Sequence, residues 1–170
     1  MTAIFDAASA LRLDAERRAY YPAGRNQVPA HCTLFHQLPG EHEEAVVAEV
    51  ATACAGLLPF TGFVAGVLSF GRGVAYAIDA PALVGLRNDL AIAFSRWLSD
   101  QDRQRYRPHV TIQNKADPAV ARRLLTSLEE DFTRWPLRIE GLALWRYRGG
   151  PWEPAASCRF GQEPVRAQAV

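Results

Sequence analysis

His31-Cys32-Thr33-Leu34 and His109-Val110-Thr111-Ile112 follow one pattern: His, any residue, Thr, an apolar residue. Side chains on a β-strand alternate between faces, so in each copy the imidazole points with the hydroxyl while Leu34 and Ile112 point into a core. Imidazole gives or takes a proton near neutral pH, and two of them on opposite sides of one anion supply the acid and the base of a single reaction. That pair is the chemistry of phosphodiester cleavage without a metal, and each copy sets a hydroxyl beside its imidazole. His31, Thr33, His109 and Thr111 are therefore the candidate catalytic residues.

The sequence after each copy also repeats. Pro39 and Gly40 follow His31 and lead into a helical run from Glu41 to Ala55, then strand-like runs Thr61 to Ser69 and Val74 to Asp79. Asp117 and Pro118 follow His109 and lead into Ala119 to Asp131, then Leu137 to Tyr147 and Ala155 to Phe160. With two copies at a period longer than solenoid repeats use, this is an internal duplication. The expected fold is α+β: two pseudo-symmetric lobes, about 23–80 and 108–160, each an antiparallel sheet with helices, closing on a central cleft within one domain spanning 1–170.

Outside the duplicated runs, Ala3 to Phe5 reads as a short strand, and Asp6 caps a helix from Ala7 to Tyr20 that stops before Pro22. A polar loop then delivers the first His strand, Ala30 to Leu38. Gly71-Arg72-Gly73 turns one hairpin. Pro81 opens a long helix with apolar positions Leu83, Leu86, Leu90, Phe94, Trp97 and Leu98, and the charged loop SDQDRQRYR carries the chain to the second motif.

At 170 residues, 49% hydrophobic and 22% charged, with a formal net charge of +1, the chain has the bulk of a globular protein and not of one that coats nucleic acid. Cys32, Cys54 and Cys158 have no close pairing, which fits buried thiols in a reducing compartment. The opening MTAIFDAASALRLDAERR lacks an apolar block of signal-peptide length, and no run reaches membrane-spanning length, so the expected location is the cytoplasm with no membrane partner.

Rival chemistries lack their spacing. GEHEEA around His42 is not an HExxH helix motif, and His36 falls on the strand face opposite His31, so neither a metal nor another cofactor is expected. Ser69 has no GxSxG elbow. Strand parity from the second motif places Arg105, Arg107, Thr111, Gln113 and Lys115 on the face of His109, so Arg107, Gln113 and Lys115 are candidate substrate-binding residues. Phe35 shares the face of His31 and Thr33 and is a candidate for stacking on a base, as are Tyr147 and Trp152 near the C-terminal turn. The turns at Arg72 and Arg148 are hairpin turns that can carry an Arg toward a phosphate.

AHCTLFHQLPG and RPHVTIQNK resemble the 2H phosphoesterase superfamily, in particular its bacterial branch named for 2'-5' RNA ligase. The resemblance extends more weakly over nearly the whole chain and implies a two-lobed α+β fold with the motifs in a central cleft. It further implies metal-independent chemistry at phosphodiesters of ribose 2' oxygens, above all opening of 2',3'-cyclic phosphates on nucleotides or RNA ends. By position, His31 resembles the proton donor to the leaving oxygen, His109 the base that activates water, and Thr33 and Thr111 the phosphate-holding hydroxyls. The first motif departs from the better-known RNA-processing members at Phe35-His36-Gln37. Ligation to form 2'-5' linkages at the same site, and nucleotide binding without turnover, are the alternative readings.

Overall fold

The computed structural model describes residues 1–22 and 24–167. Its elements in chain order are β1 (Thr2–Phe5), α1 (Ala7–Tyr20), a 3-10 turn (Gly40–His42), α2 (Glu43–Ala55), β2 (Phe60–Ser69), β3 (Val74–Asp79) and α3 (Pro81–Ala93). There follow β4 (His109–Gln113), α4 (Pro118–Glu130), β5 (Trp135–Arg146), β6 (Glu153–Arg159) and β7 (Val165–Arg166). The strands form one antiparallel sheet in the order β4-β3-β2-β5-β6-β7, with β1 on β5. The expected α+β architecture of antiparallel strands and helices is what the structure has.

β5 joins the halves because it is long enough for several partners. Trp135 to Ile139 pair with β2, Ile139 to Ala143 with β1, and Gly141 to Arg146 with β6. Isolated bridges Thr2–Thr33 and Cys32–Val110 then lay the first motif between β1 and β4, closing the strands into a ring. The helices cross over: α2, which follows the first motif, packs on β5 and β6, while α4, which follows the second, packs on β2 and β3. α1 lies against β4.

Local signals account for most boundaries. The Asp6 carboxylate accepts from the N–H groups of Ala8 and Ser9, and Asp117 accepts from Ala119 and Val120, each satisfying donors that a helix start leaves free. α3 ends at Ala93, short of Trp97 and Leu98; Phe94 is buried where the helix stops, and Trp97 and Leu98 pack on the core from the following turns.

The larger difference lies at the first motif, where no strand spans Ala30 to Leu38. Pairing is confined to Cys32 and Thr33. The buried Asp102 carboxylate takes the N–H groups of His36 and Gln37 at 2.9 and 3.1 Å and turns the chain away. Leu34 and Ile112 are fully buried, as their place in the pattern requires, and each such side chain contributes roughly 1.5–3 kcal/mol of transfer energy. All three thiols are free and buried.

Candidate active site

The antiparallel bridge between Cys32 and Val110 fixes the register of the two motifs. It places His31 opposite Thr111 and Thr33 opposite His109, on the face away from the buried Cys32 and Val110. Each imidazole therefore has the other copy's hydroxyl across from it, and the two His residues stand at diagonal positions, whose backbones lie roughly 7–8 Å apart in a ladder. The duplicated sequence thus converges on one patch of adjacent backbone.

Both rings are oriented by the same local device. His31 Nδ1 donates to the Pro29 carbonyl at 2.7 Å, and His109 Nδ1 donates to the Arg107 carbonyl at 2.8 Å. Because a carbonyl only accepts, Nδ1 carries the hydrogen and Nε2 is left for chemistry in each ring. Each ring also meets one aromatic: Trp152 lies 4.7 Å from His31 and Phe70 lies 5.2 Å edge-on to His109. Trp152 sits just before β6 and Phe70 just after β2, so each half's hairpin supplies one. Burial pushes the His31 imidazole down to about 4, and the nearby charges of Arg17, the Met1 amine and His109 push it the same way.

Helix α1 ties the two motifs together. Its Asp14 carboxylate accepts from the Ala30 N–H at 2.5 Å, just before His31. One turn on, Arg17 is 4% exposed and donates to Asn26 Oδ1, the Val28 carbonyl and, at 2.5 Å, the Thr111 carbonyl. A single side chain thus holds the approach to His31 and the strand of His109. Nothing in the motifs points to it; the available signal is its place on the buried stripe Ser9, Leu13, Arg17 of α1. Phe70 carries no motif signal of its own; its one sequence mark is that it precedes Gly71-Arg72-Gly73 much as Tyr147 precedes Arg148-Gly149-Gly150.

Several candidate residues fall elsewhere. Phe35 is 0% exposed and packs edge-on against Phe94 at 5.6 Å, because the strand ends after Leu34 and the next side chain turns inward. It offers no face for stacking. Gln113 is 3% exposed, with Nε2 donating to the Tyr20 carbonyl. The reason is a bulge: Thr111 pairs with Ala75 and Gln113 with Val74, so Ile112 is extra and parity inverts beyond it. Lys115 lies past the strand end at φ 56°, exposed and off the expected parity. Arg107 is exposed, and its backbone carbonyl is what orients His109. Tyr147 is exposed in the β5–β6 turn beside Arg148.

A cavity of about 860 Å³ lies beside this patch, lined in part by His36, Glu43, Trp145, Tyr147 and Arg148, and includes neither motif His. Trp145, 6.0 Å from Trp152, links its wall to the ring on His31. His36 Nδ1 bonds the buried Asp102 carboxylate at 2.9 Å, and Arg146 closes the wall through a bidentate pair with Glu43. Among the described residues no group of three or more His, Cys, Asp or Glu side chains is arranged to hold a metal ion, and no helix is long and apolar enough to cross a membrane.

Comparison with known proteins bears on the fold and the family. The crystal structure of TT0787 of Thermus thermophilus superposes with a TM-score of 0.67 over 94% of this chain and 96% of that one, at 17% identity, which establishes a shared fold. No curated protein sequence matches the chain. The family described as the 2'-5' RNA ligase superfamily matches residues 4–151, a span that contains both motifs, α1 and the aromatic-bearing β2–β3 turn. The chain belongs to the 2'-5' RNA ligase superfamily, as its paired motifs suggest.

Proposed function

We propose that the protein is a metal-independent phosphodiesterase that opens 2',3'-cyclic phosphates of nucleotides or RNA ends. The observation that carries this reading is the cross-strand quartet, His31 opposite Thr111 and Thr33 opposite His109, with both Nε2 atoms left unbonded by the Nδ1 contacts to carbonyls. A phosphate over the ladder receives hydrogen bonds from both Thr hydroxyls on its non-bridging oxygens. His109 Nε2 takes a proton from water as the water oxygen bonds to phosphorus; His31 protonates the ribose oxygen as its bond to phosphorus breaks. The order of acid and base follows the family resemblance.

His31 must then hold a proton that it lacks near pH 7 in the ligand-free protein. The bound anion supplies the reason, since its negative charge favours the protonated ring against burial and the positive charge of Arg17. Substrate binding therefore takes up a proton, visible as a binding enthalpy that changes with the ionisation heat of the buffer. His31→Ala and His109→Ala each lower hydrolysis of a 2',3'-cyclic nucleotide by ~10²–10⁴-fold, and EDTA leaves the rate unchanged. Wild-type turnover in both variants would overturn the assignment. The family match also favours a second reading, in which a ribose 2' hydroxyl replaces water and a 2'-5' linkage forms; analysis of products from RNA with cyclic phosphate ends separates the two.

A further inference from the structure

Three separate segments, each bearing one cation, meet just beyond the second motif. Arg25 Nη1 donates to the Lys115 carbonyl at 3.3 Å, and the Arg72 carbonyl accepts from the Ala116 N–H at 3.0 Å. All three side chains are exposed, and among the described residues none is in an ion pair. The nearest carboxylate in sequence, Asp117, is committed to the start of α4. In a chain of formal net charge +1, the neighbourhood thus carries three cations and one helix-capping carboxylate.

The backbone there is built, not loose. Gly73 lets the β2–β3 turn press against the end of β4: a Cβ at that position would collide with the Gln113 carbonyl oxygen. Lys115 is the one non-glycine described residue with positive φ, at 56°, and its N–H is held by Asn114 Oδ1 at 2.7 Å. Such a conformation is disfavoured for a side-chain-bearing residue and persists where the surroundings impose it. Phe70, two residues before Arg72, touches His109. Lys115 is four residues past Thr111, a span of at most about 13 Å, part of which an extended Lys or Arg side chain is long enough to cover.

We propose that Arg25, Arg72 and Lys115 form a second phosphate site, which holds the group on the 5' oxygen of the nucleotide whose 2',3'-cyclic phosphate lies between His31 and His109. This rests on the proposed function, and it narrows the substrate to nucleotides that carry two phosphates on one ribose. A terminal 5'-phosphate and the diester to a preceding nucleotide present the same anionic oxygens.

The test compares adenosine 2',3'-cyclic phosphate, its 5'-phosphorylated form and a dinucleotide ending in the cyclic phosphate. Wild type favours the last two in kcat/KM by about tenfold, the scale of one charge-assisted contact. Lys115→Gly, which relieves the positive φ, and Arg72→Gln bring those ratios toward one. A preference for only one of the two forms identifies its source, monoester or diester. Equal kcat/KM for all three in wild type, or ratios that survive in both variants, overturns the second site and leaves the proposed function standing. Calorimetric binding of adenosine 3',5'-bisphosphate against adenosine 3'-monophosphate needs no turnover. Tighter wild-type binding of the bisphosphate, lost in the variants, supports the site even if nothing is hydrolysed; equal binding overturns it.

Discussion

His109 stands on a five-residue strand paired along β3, whereas His31 stands on a segment that pairs at only two residues, and both rings still turn Nδ1 to the carbonyl two residues upstream. The imidazole geometry is therefore set by each motif's own backbone and not by the length of strand around it. What the short copy lacks in ladder bonds it gains from outside: Asp14 before it, Asp102 after it, and the Met1 carbonyl, which accepts from the Leu34 N–H. One motif is held mainly by its place in a sheet, the other by two bridges, the Met1 backbone and side chains from distant segments.

The strongest way to break that contrast is through Arg17, which serves both sides. Arg17→Met leaves the Val28 and Thr111 carbonyls without their donor and costs about 3 kcal/mol of stability, read from urea unfolding. An unchanged midpoint would mean that each motif is self-supporting.

The next effect belongs to His31 alone. Its folded pKa is lowered to about 4 by burial, while an unfolded His titrates near 6.5. Between those values the unfolded state binds more protons, so stability is lost as pH falls from 6.5 toward 4 and is unaffected by this group above 6.5. Replacing the ring by His31→Asn removes about 2 kcal/mol of the loss seen between pH 7 and pH 5. A variant that keeps the wild-type slope would show that other groups carry the acid sensitivity.

The smallest effect sharpens the comparison of the two aromatics. Trp152→Leu readmits water to His31 and raises its pKa from about 4 toward the ordinary value, followed by NMR titration of the ring. Phe70→Leu leaves the His31 titration where it is, because Phe70 sits against the other ring. Equal shifts from both substitutions would deny the separation.

Much of this was legible in the residues. Asp6 and Asp117 announce helix starts through a side chain that reaches only two or three residues, and the hairpin strands announce themselves by apolar runs bounded by Gly turns. The pattern His-x-Thr-x fixed which faces meet, since alternation is a local property. What stayed illegible depends on distant partners. Asp102 ends the first motif from a loop 66 residues away from His36, and with it Phe35 goes from the site face into the core. The bulge at Ile112 reverses parity before Gln113, and single-strand periodicity carries no mark of a bulge imposed by the neighbouring strand.

The crossing of the helices bears on how the molecule comes apart. Because α2 covers β5 and β6 while α4 covers β2 and β3, each duplicated unit lends its partner the apolar lid that the partner's own hairpin lacks. Expressed separately, either unit would expose a bare sheet face, so the two must assemble and melt as one interlocked object. A cut in the loop between α3 and β4 would leave fragments still clasped by the exchanged helices and by the β1–β5, β2–β5 and β3–β4 ladders.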